Sequence, residues 1–203
     1  QNFPISNLRP LPAFVDAVVW IKKAAALTHR ETGRLDKKLA DAIIAAADEV
    51  LAGGYRDQFV VDPYQAGAGT SHNMNANEVL ANRASELLGG ARGDYGLAHP
   101  NDHVNMGQST HDVFPTATRL AVLAMVPPLT AAADALADAL DAKSREFASI
   151  LKTGRTHLQD AVPMTLGQEF GGYAANVRQG AAGVERAAEQ LLEVNLGATA
   201  VGT

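Results

Sequence analysis

Apolar residues recur at helical spacing along most of this chain. Between 10 and 30, Leu11, Phe14, Val15, Val18, Val19 and Ile21 form one stripe, and Gly33 is placed to stop the helix. Leu35 to Leu51 repeats the pattern through Leu39, Ile43, Ala46, Val50 and Leu51, ending at Gly53-Gly54, so the two segments predict a helical hairpin. Phe59-Val-Val61 fits either a strand or an extended loop. A third helix is expected from about Glu78 to Leu88, closed by Gly89-Gly90. From Asp112 to about Leu151 the chain is rich in Ala and Leu, but Pro127-Pro128 must kink or break that helix, because neither ring has an N–H to give. Pro163 is expected to open the last helix, running to about Glu193.

Three dense polar clusters interrupt this pattern, each at a loop-to-helix junction. Gln65 to Asn77 combines glycines with Thr70, Ser71 and three asparagines. The second, from His99 to Pro115, crowds amides, hydroxyls and imidazoles ahead of a long helix. The third is Gly154-Arg-Thr-His-Leu-Gln-Asp160. Ordinary helix capping uses one or two polar residues, not six or seven. Backbone N–H groups at a helix start, with hydroxyls beside them, suit a small anion. The pattern predicts a mostly α protein: an N-terminal domain over 1–110, then the first long helices of a bundle over 111–203.

Charge and composition narrow the chemistry. The net charge of −5 and the lack of basic clusters disfavour nucleic acid as a partner. Zero cysteines exclude disulfides and thiolate chemistry and fit a cytoplasmic location. The most apolar window, Leu120 to Leu140, carries Pro127-Pro128, Asp134 and Asp138, and is expected to be a buried amphipathic helix rather than a membrane span. The start without Met, and the end on Gly202-Thr203 in mid-pattern, point to a piece of a longer chain.

Among the polar residues, His157 suits acid–base work or substrate orientation, since imidazole titrates near neutrality. His99, Asp102 and His103 match no metal-ligand spacing, so no metal is expected. Gly67-x-Gly69 is too short for a dinucleotide fingerprint, and no organic cofactor is implied. Ser71 and Ser109 lack a nucleophile elbow. His29, among charged neighbours, is expected on an inert helix surface.

The ordered blocks Gly67-Ala-Gly-Thr-Ser-His-Asn-Met-Asn-Ala-Asn-Glu78, His99-Pro-Asn-Asp-His-Val-Asn105, Gln108-Ser-Thr-His-Asp112 and Gly154-Arg-Thr-His-Leu-Gln-Asp-Ala161 resemble the fumarase/aspartase superfamily over essentially the whole chain. Asn2-Phe-Pro-Ile-Ser6, Ala68, Ser109-Thr110, Val162-Pro-Met-Thr165 and Asn195-Leu-Gly-Ala-Thr199 resemble its aspartate ammonia-lyase branch more than its fumarase branch. The resemblance implies anti elimination of ammonia from L-aspartate to fumarate through an enediolate-like state, with no metal or organic cofactor. By position, Thr70, Ser109, Thr110, His111 and Thr156 correspond to substrate contacts and His157 to the histidine that handles protons. His99, Asn101 and Asp102 are candidates for a second anion site. Family members are homotetramers whose active sites draw on three subunits.

Two departures stand out. His111 occupies a position where the family usually has Asn, beside the leaving group, and Met106 replaces a frequent Lys. The family's loop bearing the catalytic Ser lies beyond residue 203, so this stretch alone is expected to be inactive. Two alternatives remain beside the ammonia-lyase: a fumarate hydratase on the same scaffold, and a helical assembly module without catalysis.

Overall fold

The computed structural model describes residues 3–65 and 67–202; Gln1, Asn2, Ala66 and Thr203, including the first residue of the Asn2 block, lie outside them. The chain forms two compact units, Gln1–Val122 with Glu193–Thr203, and Leu123–Leu192.

The first unit contains α1 (Pro12–Glu31), α2 (Lys37–Leu51), α3 (Thr70–Leu87) and the N-terminal part of α4 (Thr110–Glu146). Pro12 opens α1, where its missing N–H goes unneeded. Gly33, at φ 69°, closes it. Asp36 caps α2 by accepting from the backbone N–H groups of Lys38 and Leu39 at 2.9 and 3.1 Å. Val19, Ile43, Val50, Leu80, Val104 and Val113 are fully buried together. Burying each such side chain stabilises the fold by about 1.5–3 kcal/mol. Residues 111–122, expected to begin the bundle, cluster with this unit because Val113, Ala117 and Ala121 enter the same core. Phe59-Val-Val61 is a loop, not a strand.

α3 begins eight residues earlier than expected. Gly69 takes φ 83°, and its hydrogen lies where a Cβ would come within 2.0 Å of the Phe114 ring. That left-handed turn starts the helix at Thr70, so the polar run from Thr70 to Asn77 is helix rather than loop.

In the second unit α4 continues through Pro127-Pro128 without a break, and the Thr130 hydroxyl donates to the Pro127 carbonyl at 3.2 Å. The expectation that Pro163 opens the last helix is corrected. Residues 151–165 form an antiparallel hairpin of β1 (Leu151–Thr156) and β2 (Gln159–Thr165), with Pro163 opposite Thr153. A two-stranded ladder has only edges, so a residue without an N–H is tolerated there. The helix α5 (Leu166–Ala188) instead starts from Thr165, whose hydroxyl accepts from the Gln168 N–H while the Gln168 side chain accepts from the Thr165 N–H. Gly167 lets α5 approach α4: a Cβ there would lie 2.4 Å from the Ser144 carbonyl.

The expectation of a buried Leu120–Leu140 helix is also revised. By length and composition α4 could cross a membrane, and only 17% of its most apolar window is buried in the single chain. Val122, Met125, Leu129 and Leu136 are exposed along it.

Candidate functional site

The second polar cluster is organised by caps. Pro100 to Val104 forms one wide helical turn, and His99 starts it by accepting the N–H groups of Asn101 and Asp102 on Nδ1 at 3.2 and 3.1 Å. His103 Nδ1 accepts from the His99 N–H at 2.9 Å. Each ring thus turns Nδ1 toward backbone N–H groups as an acceptor and leaves Nε2 as its donor nitrogen. Burial holds the His103 ring below the usual histidine value, opposed by Asp102 and reinforced by His99. Asn101 and Asp102 are exposed.

The start of α4 is a reciprocal cap. Ser109 Oγ accepts from the His111 N–H at 3.2 Å, and Asp112 Oδ1 accepts from the Ser109 N–H at 2.9 Å. Asp112 is fully buried, and its Oδ2 takes the Gly197 N–H at 2.8 Å. Thr110 is half-buried and accepts from Asn73 Nδ2 at 3.3 Å. The contact of Gly69 with Phe114 sets the first turn of α3 against that of α4, so Thr70 belongs to the same junction. Thr70, Ser109, Thr110 and His111 thus sit at two adjoining helix starts, with Thr70 and His111 exposed. Each of Ser109 and Thr110 uses its oxygen as an acceptor within the protein and retains an O–H to donate.

Thr156 and His157 belong to the second unit, at the tip of the β1–β2 hairpin. His157 and Leu158 form a two-residue turn with φ 48° and 63°. Positive φ at both positions matches the twist of a hairpin, but for Leu it is strained. His157 lies in an open groove with Lys152, Arg155 and Glu169. Lys152 is ion-paired to Glu169.

A buried charge was missed from the sequence, and it lies under the junction. Lys22 is fully buried, and its ammonium donates to Asn73 Oδ1, Asn105 Oδ1 and Gln108 Oε1 at 2.7, 2.8 and 2.9 Å. Burial lowers its pKa to about 7, with the Asp112 carboxylate partly opposing. The available signal was Lys22 itself, on the apolar stripe between Val18, Val19 and Ala26. His29 is also corrected: it is half-buried, with Nε2 bonded to the Met106 carbonyl at 2.8 Å. Among the described residues no three His, Asp or Glu side chains gather as a metal-binding group.

A family model described as Lyase matches residues 1–203. A fumarate hydratase class II of Halobacterium salinarum is 55% identical over 204 residues, covering all of this chain and 43% of the relative. An aspartate ammonia-lyase of Escherichia coli is 52% identical over 206 residues, again covering the whole chain and 43% of the relative. The chain belongs to the fumarase/aspartase superfamily of lyases. It spans less than half the length of these curated relatives. A fumarate lyase:delta crystallin of Brucella melitensis, solved bound to cobalt, superposes with a TM-score of 0.96 at 52% identity, over all of this chain and 44% of that one. A class II fumarase of Schistosoma mansoni gives 0.91 at 40% identity, over all of this chain and 43% of that one. The mostly α, fumarase-like fold expected from the sequence is the fold observed. Its relatives carry both the ammonia-lyase and the hydratase names.

Proposed function

We propose that the full-length protein is a cytoplasmic aspartate ammonia-lyase that eliminates ammonia from L-aspartate to give fumarate. The observation that carries this reading is the pair of hydroxyls at the start of α4. Ser109 and Thr110 each accept from a protein N–H and keep an O–H for an anion, as a dicarboxylate requires. Proton removal beside a carboxylate places extra negative charge on its oxygens. Donors already fixed there bind the transition state better than the substrate.

In this reading Thr70, Ser109, Thr110 and Thr156 bind substrate carboxylate, His111 faces the leaving group, and His157 handles protons at the strained hairpin tip. His99, Asn101 and Asp102 form a second anion site, with the His99 Nε2 proton as donor. The base comes from sequence outside this chain. The apolar rows of α4 and α5, including Met125, Leu129, Leu136, Tyr173 and Val184, are exposed in the single chain and suit burial in a homotetramer. Such an assembly would supply Thr156 and His157 from one subunit to the α3–α4 junction of another.

Fumarate hydratase is the second reading, favoured by the 55% identity to the Halobacterium salinarum hydratase. Its substrate differs only at the leaving group, where His111 stands. Incubating the full-length protein with L-aspartate and with L-malate, and following fumarate absorbance, separates the two; turnover of malate alone would overturn the ammonia-lyase reading. Activity on neither, gained on His111→Asn substitution, would favour a degenerate assembly module. Light scattering of the full-length protein should give a tetramer mass.

A further inference from the structure

A hydroxyl is an ambiguous hydrogen-bonding group: it serves an anion only if something else makes it donate outward. At Thr110 that direction can be traced to a charge. The Lys22 ammonium has three protons and no acceptor, and all three point at amide oxygens, those of Asn73, Asn105 and Gln108. Each amide is thereby fixed with oxygen toward Lys22 and nitrogen away. Gln108 Nε2 donates to the Val104 and Met106 carbonyls at 3.0 and 3.2 Å, and Asn105 Nδ2 to the Gln108 carbonyl at 3.2 Å. Asn73 Nδ2 donates to Asn105 Oδ1 at 3.2 Å and to Thr110 Oγ1 at 3.3 Å. Thr110 is held as an acceptor toward Asn73, and its own proton must leave in another direction.

We propose that Lys22 is a positioning residue that acts through Asn73 to polarise Thr110, making its hydroxyl an obligatory donor to the substrate carboxylate. The inference rests on the assignment of Thr110 to the dicarboxylate site. Lys22 and Asn73 are both buried, so neither touches substrate; the ammonium sets the direction of a proton one amide away. This gives a reason for a full charge in the buried network, where a cation without partners would be strongly disfavoured.

The test is Asn73→Asp in the full-length protein. A carboxylate keeps the partner of Lys22, and so the fold, but presents an acceptor to Thr110. The hydroxyl then donates inward and is lost to the substrate. The kcat/KM should fall about tenfold to a hundredfold, the loss of one hydrogen bond to a charged group. The same change made on a Thr110→Val background should cost little more, because the group it acts through is gone. Lys22→Met, which frees Asn73 to turn over, should show the same non-additivity with Thr110→Val, and it serves if Asn73→Asp fails to fold. A penalty undiminished on the Thr110→Val background would overturn the relay. Unchanged kinetics of Thr110→Val alone would overturn the placing of Thr110 at the substrate, and the relay with it. If the wild type turns over neither aspartate nor malate, the functional reading fails; the cycle is then read from succinate affinity by calorimetry, where non-additivity supports the relay and additivity overturns it.

Discussion

The Asn195 side-chain amide donates to the main-chain carbonyl of His111 at 3.1 Å. That carbonyl would otherwise bond the N–H of the residue four positions on, which is Pro115 and has none. Two residues later Gly197 donates its N–H to the buried Asp112. The returning segment thus ties down the start of α4 at two successive residues. Asp112→Asn should be the more damaging change there. Its two oxygens serve two N–H groups, and an amide can serve only one while setting a donor against the other. It also removes the charge that partly offsets the cost of burying the Lys22 ammonium. A loss of about 2–4 kcal/mol is expected in denaturant unfolding. Asn195→Ala, at an exposed neutral bond, should cost about 0.5–1.5 kcal/mol.

Lys22 should make stability depend on pH in a defined window. An ordinary lysine titrates at 10.5, whereas burial brings this one to about 7. Between those values the unfolded chain holds the proton and the folded chain has released it. Stability therefore rises with pH across the window, by at most about 1.4 kcal/mol per pH unit, and the cost of burying the ammonium is greatest below 7. Lys22→Met should remove this contribution. Unfolding curves of both proteins below and above neutrality measure it, and parallel pH dependences would refute it.

Gly69 is required twice over, by its φ of 83° and by the Phe114 ring 2.0 Å from any Cβ. Gly69→Ala should destabilise by about 2–4 kcal/mol. A second change, Phe114→Ala, should not restore stability, because the left-handed backbone remains. Thermal unfolding of the single and double variants checks this.

Leu158 is 93% exposed and held at φ 63°. Removing its side chain forfeits no packing and relieves the backbone. Leu158→Gly should stabilise the hairpin by about 1 kcal/mol, read as a rise in Tm.

Periodicity in the chain was enough to predict the α1–α2 hairpin and a long helix after residue 112, though not its unbroken passage through Pro127-Pro128, because apolar spacing directly reflects which helix face is buried. The family resemblance was legible too, since its blocks are contiguous runs. Where a contact joins residues far apart, local pattern failed. Gly69 against Phe114 decides where α3 starts, and pairing of Thr153 with Pro163 makes a hairpin of a segment that reads as loop and helix. Lys22 looked like an ordinary helix lysine, and only its partners 51, 83 and 86 residues away turn it into the centre of a buried network. Sequence by itself determined which residues are polar and which are apolar. Only the tertiary structure decided which polar groups face one another in the absence of water, and there the direction of every hydrogen bond has to be settled by its partner.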